Sequence, residues 1–170
     1  MLLMKKILSI IFLVLIFSGY AQANWEGSIK KNEFDEKTYK SILGPYITPG
    51  IPLDYPFEEL NMYPFLGCEN VIAFVFNDDL NLNDGRYLND KTAEFNFRIK
   101  HGEKLENIKA EQVVSYRSNL IVSSADSSRV FNWFKNEETI VLELSHYRDG
   151  VRYYKIDTKG FKKVYNDTCL

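Results

Sequence analysis

The densest concentration of side chains able to do chemistry is Asp78, Asp79, Asn81, Asn83, Asp84 and Gly85, followed by Asp90. Oxygen donors at Asp79, Asn81 and Asn83, with Asp90 eleven residues after Asp79, partly reproduce the spacing of a helix–loop–helix calcium site. Two features depart from that pattern. The glycine of the sharp turn stands one position late, and an aspartate replaces the bidentate glutamate that closes such loops. The same residues suit a solvated turn, because Asn, Asp and Gly tolerate turn geometry. The turn reading is the stronger, and no cofactor or metal is expected. Were calcium bound, its ligands would be Asp79, Asn81, Asn83 and Asp90.

Other catalytic arrangements are sparse. The chain has two histidines. His101 precedes a turn glycine, and His146 follows Ser145 in an apolar stretch that reads as a strand. Neighbours on a strand point to opposite faces, so Ser145 and His146 make a poor nucleophile–base pair. His146 is expected on the wetter face. Carboxylates occur in pairs at Glu58-Glu59, Asp78-Asp79 and Glu137-Glu138. Glycosidase-type catalysis needs two acids facing one another across a cleft, which adjacency in sequence does not supply. No glycine-rich phosphate loop and no His/Cys cluster with metal spacing is present, and no catalytic residue is expected.

Cys68 and Cys169 are the only cysteines. In an oxidising compartment such a pair in a small domain forms a disulfide. The loop closed would span about 100 residues, a link worth roughly 4–5 kcal/mol in the chain-entropy model.

All five prolines fall between Gly44 and Gly67, interleaved with aromatic and aliphatic residues. Proline cannot donate to a sheet ladder, so residues 44–67 are expected to be mostly irregular, packed down by their apolar content. Loops of this length carry binding surfaces. Tyr46, Tyr55, Phe57 and Tyr63, rimmed by Asp78, Asp79 and Asp84, are therefore the expected contact residues for a protein partner. The net charge of −2 argues against nucleic acid or an anionic membrane as that partner, since each needs a concentrated basic patch. The basic run Lys159 to Lys163 reads as a solvated helix face.

These residues must be positioned by a β-rich domain. Trp25, Gly27 and Ile29 alternate as in a strand, and Thr38, Lys40 and Ile42 fit a return strand or, alternatively, a short helix over 35–43. Val71 to Phe76 has strand length. Ala93 to Lys100 alternates, with Phe95, Phe97 and Ile99 on one face. His101-Gly102 marks a turn, and Val113 to Tyr116 and Leu120 to Ser123 read as two short strands. Asp126 or Ser127 could cap a helix bearing Val130, Phe131, Trp133 and Phe134. Thr139 to Tyr147 and Val151 to Ile156 form a hairpin about Arg148-Asp149-Gly150. Asp157 or Thr158 opens a last helix with Phe161, Val164 and Tyr165 on its buried face. The expected fold is mainly β, an antiparallel small sandwich or curved sheet with two short helices, the C-terminal one tied back by Cys68–Cys169.

The first 23 residues read as a cleaved signal peptide. Lys5 and Lys6 precede an apolar core from Ile7 to Phe17, and Ala21-Gln22-Ala23 supplies small residues for the cut. That core is too short to span a bilayer. Residues 24–170 are then one exported domain, periplasmic or secreted, without membrane insertion after cleavage. Its oligomeric state is left open.

The order of features has a parallel. An early tryptophan strand, the Cys68 step into an apolar strand, Phe97-Arg98-Ile99-Lys100, the Val130/Phe131/Phe134 helix, the 139–156 hairpin, Gly160-Phe161 and a terminal helix ending in Cys169 follow one another. By spacing over residues 68–170, the chain resembles bacterial periplasmic one-disulfide β proteins of the type VI secretion-associated TagO/VasI and invasion-associated-locus-B kind. The resemblance implies a non-catalytic binding or accessory role in an envelope or secretion system. The mild acidity and aromatic loops suit an alternative, a periplasmic immunity or inhibitor protein against a toxin or cell-wall hydrolase.

Overall fold

The computed structural model describes residues 24–31, 37–50, 60–80, 82, 85–147 and 150–170. The expected signal peptide, Tyr55, Phe57, Asn81, Asn83, Asp84 and the Arg148-Asp149 turn lie outside the described residues.

Period-2 alternation builds most of the molecule. The strands are β1 (Glu26–Lys31), β2 (Thr38–Leu43), β3 (Met62–Gly67), β4 (Val71–Phe76), β5 (Arg86–Tyr87), β6 (Thr92–His101), β7 (Lys104–Val113), β8 (Tyr116–Val122), β9 (Thr139–His146) and β10 (Gly150–Asp157). The helices are α1 (Ser124–Asn136) and α2 (Phe161–Cys169). The strands form one antiparallel sheet in the order β1-β2-β3-β4-β8-β7-β6-β9-β10, with β5 paired to β6. The sheet is therefore single and curved, and the sandwich alternative does not hold.

Curvature follows from the side chains on the concave face. Phe95, Phe97 and Ile99 of β6 and Ile140, Leu142 and Leu144 of β9 are buried there, while Asn96, Arg98 and Lys100 face solvent. Phe76 on β4 meets Tyr154 on β10 edge-on at 5.6 Å, although four strands separate β4 from β10 in the sheet order. The sheet thus wraps around its own core. Each large apolar side chain buried there contributes roughly 1.5–3 kcal/mol. The free edge of β10 is partly covered, because Gly50 N donates to Tyr153 O at 2.9 Å and Trp25 Nε1 donates to Asp157 O at 3.0 Å.

Both helices pack at one end of the wrapped sheet. α1 buries Ser127, Val130, Phe131, Trp133 and Phe134. α2 buries Phe161, which packs against Trp25 at 4.9 Å, Phe134 at 5.6 Å and Phe131 at 5.8 Å. α2 lies against β1 and β2, and Gly27 makes that approach possible: a Cβ there would stand 1.9 Å from Thr168 Oγ1. The Cys68–Cys169 disulfide joins the end of α2 to the β3–β4 turn across a sequence separation of 101, with Cα atoms 5.4 Å apart.

Several expectations need correction. Residues 62–67 are a strand despite Pro64. Pro64 O accepts from Gly44 N at 2.8 Å, and the single return bond that its missing N–H forgoes falls at the end of the β2–β3 ladder, beyond the last registered pair, Leu43↔Phe65. Residues 104–113 form a ten-residue strand, and residues 114–115, expected within a strand, are the turn into β8. Lys104–Val113 is rich in Lys and Glu and has low intrinsic β preference. Registered pairing with β6 along its whole length holds it extended. The short-helix alternative for 35–43 gives way to β2 over its described part. Ser123, not Asp126 or Ser127, stands at the N-cap of α1, and Gly160 at that of α2. Of the basic run, Lys162 and Lys163 are exposed on α2, while Lys159 and Gly160 form the turn before it.

Candidate binding surface

The end of the sheet away from the helices is built from connections. Ile47 and Met62 exchange backbone hydrogen bonds at 2.7 and 2.9 Å. Asn77 N donates to Asn61 O at 3.1 Å, and Asn61 N donates to Asn77 Oδ1 at 2.8 Å. Leu80 N donates to Arg117 O at 3.1 Å, and Leu82 bridges to His146. Asn61 and Asn77 are thereby fastened side by side, with Leu80 tied to β8 and Leu82 to β9.

Of the expected contact residues, Tyr46 is 60 % exposed at this end. Tyr63 is half-buried on the outer face of β3, opposite Val75. Asp78 and Asp79 are exposed, and the Asp78 carboxylate accepts from Asp79 N at 2.7 Å. Asp90 is exposed in the β5–β6 turn, where Asn89 Oδ1 accepts from Lys91 N and Thr92 N at 2.8 and 2.9 Å. The bridge at Leu82 and strand β5 separate Asp79 from Asp90 along the chain. Among the described residues no three His, Cys, Asp or Glu side chains are grouped to hold a metal ion.

Three exposed aromatic residues were not singled out from the sequence: Tyr87 and Tyr147 at this end, at 70 and 54 % exposure, and Tyr153 midway along β10, at 42 %. The alternation of β10 carries the signal for one of them, since Tyr153 and Tyr154 must face opposite ways and Tyr154 is fully buried. With Tyr87, Ala93, Phe95, Gln112 and Arg117, Tyr147 lines a cleft of about 120 Å³. A second hollow, about 460 Å³, lies beside the disulfide and is lined by Tyr39, Phe65 and Val71 among others.

The histidines occupy places that local sequence did not indicate. His146 is 2 % exposed, on the core side of β9 and not on the wetter face, while Ser145 is exposed on the opposite side. Burial, with a smaller effect from the Arg152 guanidinium, pulls its imidazole down to about 4. Its Nε2 lies 3.4 Å from the Tyr154 hydroxyl, which donates to Leu60 O at 3.3 Å and whose ionisation burial pushes well above the usual tyrosine range.

His101 sits at the helix end, stacked on Trp133 at 4.0 Å. Its Nε2 is 2.9 Å from Glu106 and its Nδ1 3.3 Å from Glu137. Arg129 joins Glu106 to Asp126 at 2.5 and 2.6 Å and lies over the Trp133 ring. Burial works against the charge on Asp126, but hydrogen bonds from Lys109 N, Arg129 and Ser123 outweigh it and lower its pKa. The spacing of Asp126, Arg129, Trp133 and Glu137 places them along one helical stripe, a signal legible in sequence. Its partners on β6 and β7 were not. With both ring nitrogens engaged by carboxylates, His101 acts as a clasp between the β6–β7 hairpin and α1.

Compared with protein-family models, curated proteins and solved structures, the chain matches none.

Proposed function

We propose that the chain is a non-catalytic exported binding or accessory protein of an envelope or secretion system, and that its loop end is the contact surface. One observation carries this reading: Tyr46, Tyr87 and Tyr147 are each more than half exposed and gathered at one end of the domain, whereas at the other end Tyr39, beside the disulfide, is the one tyrosine so exposed among the described residues. Tyrosine gives rigid, amphipathic contact area at low entropic cost, and it is enriched at protein interfaces. The resemblance in order and spacing to periplasmic one-disulfide β proteins points the same way, as does the separation of Ser145 from His146 across the β9 strand.

The exposed carboxylates of Asp78 and Asp79 at the same end favour a second reading, an immunity or inhibitor protein that caps a basic toxin or cell-wall hydrolase. Mild cross-linking in the native envelope, followed by purification and mass spectrometry, tests both. Envelope or secretion components recovered with the wild-type chain and lost with Tyr46→Ala/Tyr147→Ala support the accessory role. A single basic enzyme in a salt-sensitive 1:1 complex supports the inhibitor role. Recovery that the double substitution does not change refutes the loop end as the contact surface.

A further inference from the structure

The cleft between β5, β6 and the β7–β8 turn has a composition that a purely structural hollow does not need. Its floor is apolar, formed by Ala93 and Phe95 with Leu80 beside them. Gly85 brings the chain directly onto the Phe95 ring edge, where a Cβ would stand 2.3 Å from Phe95 Cε1. The aromatic flanks are Tyr87 and Tyr147. Two polar groups complete it. Gln112 is 5 % exposed, and its Nε2 donates to Leu80 O at 3.2 Å and to Arg117 O at 2.7 Å. Two carbonyl acceptors on that nitrogen fix the orientation of the amide, and Oε1 has no donor among the described residues. The Arg117 guanidinium has no carboxylate partner among the described residues.

Gln112 Oε1 is an acceptor of fixed orientation that is open to the cleft and unused by any donor among the described residues. It faces a cleft that also holds the Arg117 guanidinium, without a carboxylate partner among the described residues, and a ring-lined floor. We propose that this cleft binds a single-ring aromatic acid carrying a hydrogen-bond donor, its ring on Phe95 between Tyr87 and Tyr147, its donor on Gln112 Oε1 and its carboxylate on Arg117. The volume of about 120 Å³ is close to that of cavities known to hold one benzene ring. Apolar walls with a few placed polar groups are the usual construction of such sites. The planar guanidinium suits a carboxylate bidentately. The same chemistry is offered by a free hydroxyaryl acid and by a C-terminal tyrosine of a peptide. The site does not depend on the protein-binding role.

Amide-detected NMR titration of the purified chain with 4-hydroxybenzoate tests this, with benzoate lacking the donor and phenol lacking the acid as comparisons. The expected result is saturable shifts at Ala93, Phe95, Gln112 and Arg117. Benzoate and phenol should each bind about tenfold more weakly. Arg117→Gln, a change at an exposed side chain, should weaken 4-hydroxybenzoate about tenfold and leave phenol unchanged. Absence of saturable shifts at millimolar ligand, or equal affinities for the three probes, overturns the proposal. Equal binding by wild type and Arg117→Gln overturns the carboxylate assignment and with it the ligand class. A Gly-Gly-Tyr peptide with a free terminus that binds more tightly than the acid identifies a partner's C-terminus as the source. Tighter binding of the acid identifies a free small molecule.

Discussion

His146 shows how one buried residue makes stability depend on pH. Its imidazole is held down to about 4 in the fold, against 6.5 for an unburied histidine, so the unfolded chain takes up a proton more readily across that interval. Stability contributed by the neutral ring is complete above about pH 6.5 and is lost as pH falls toward 4, a total on the order of 2–3 kcal/mol. Phenylalanine at this position fills similar space and has no proton to gain. His146→Phe should therefore flatten the fall in urea midpoint between pH 6.5 and 4.5 that the wild type shows. An equally steep fall in the variant would place the acid sensitivity elsewhere. Asp126, whose pKa is lowered from an already acidic value, adds its own loss only at more acidic pH.

At the scale of elements, the decisive feature is the tie between α2 and the β3–β4 turn. A nine-residue helix is too short to persist alone in water. Phe161, Thr168 and the disulfide hold it against β1, β2 and α1. Cys169→Ser should cost about 2–5 kcal/mol and lower the thermal midpoint by on the order of 10 °C. Reductant should lower the wild-type midpoint similarly and leave the variant unmoved. A wild-type melt identical with and without reductant would contradict a stabilising bridge. The elements also explain what local reading missed. β7 lacks an apolar alternation of its own and is made extended by β6, whereas β6 and β9 carry their pattern in plain sight.

Over the whole molecule, the densest aromatic packing and the proposed contact surface lie at opposite ends. The helix end is an aromatic cluster of Trp25, Phe131, Phe134, Phe161 and Tyr165 in edge or tilted contacts, while the loop end exposes tyrosines and carboxylates. Substitutions should divide accordingly. Phe161→Ala, at a fully buried ring, should cost about 3–5 kcal/mol with no direct effect on the loop end. Tyr46→Ala/Tyr147→Ala should leave the thermal midpoint within about 2 °C, since both side chains are largely solvated. A large loss of stability in the double variant would show that these tyrosines support the fold, and the loop end would lose its claim as a recognition surface.

The sequence by itself determined that the domain is mainly β and antiparallel, that two helices follow β8 and β10, and that Cys68 and Cys169 are joined. Periodicity and cysteine count are local or global properties of a linear string, so they survive without coordinates. The single wrapped sheet, the strand through Pro64, the burial of His146, the clasp around His101 and the cleft of Gln112 and Arg117 were decided only by tertiary structure. Each depends on which distant strand lies alongside. His101 meets Glu137 across 36 positions, and Gln112 meets Leu80 across 32. Pairing register and sheet curvature bring such residues together, and neither leaves a mark in the spacing of the residues concerned.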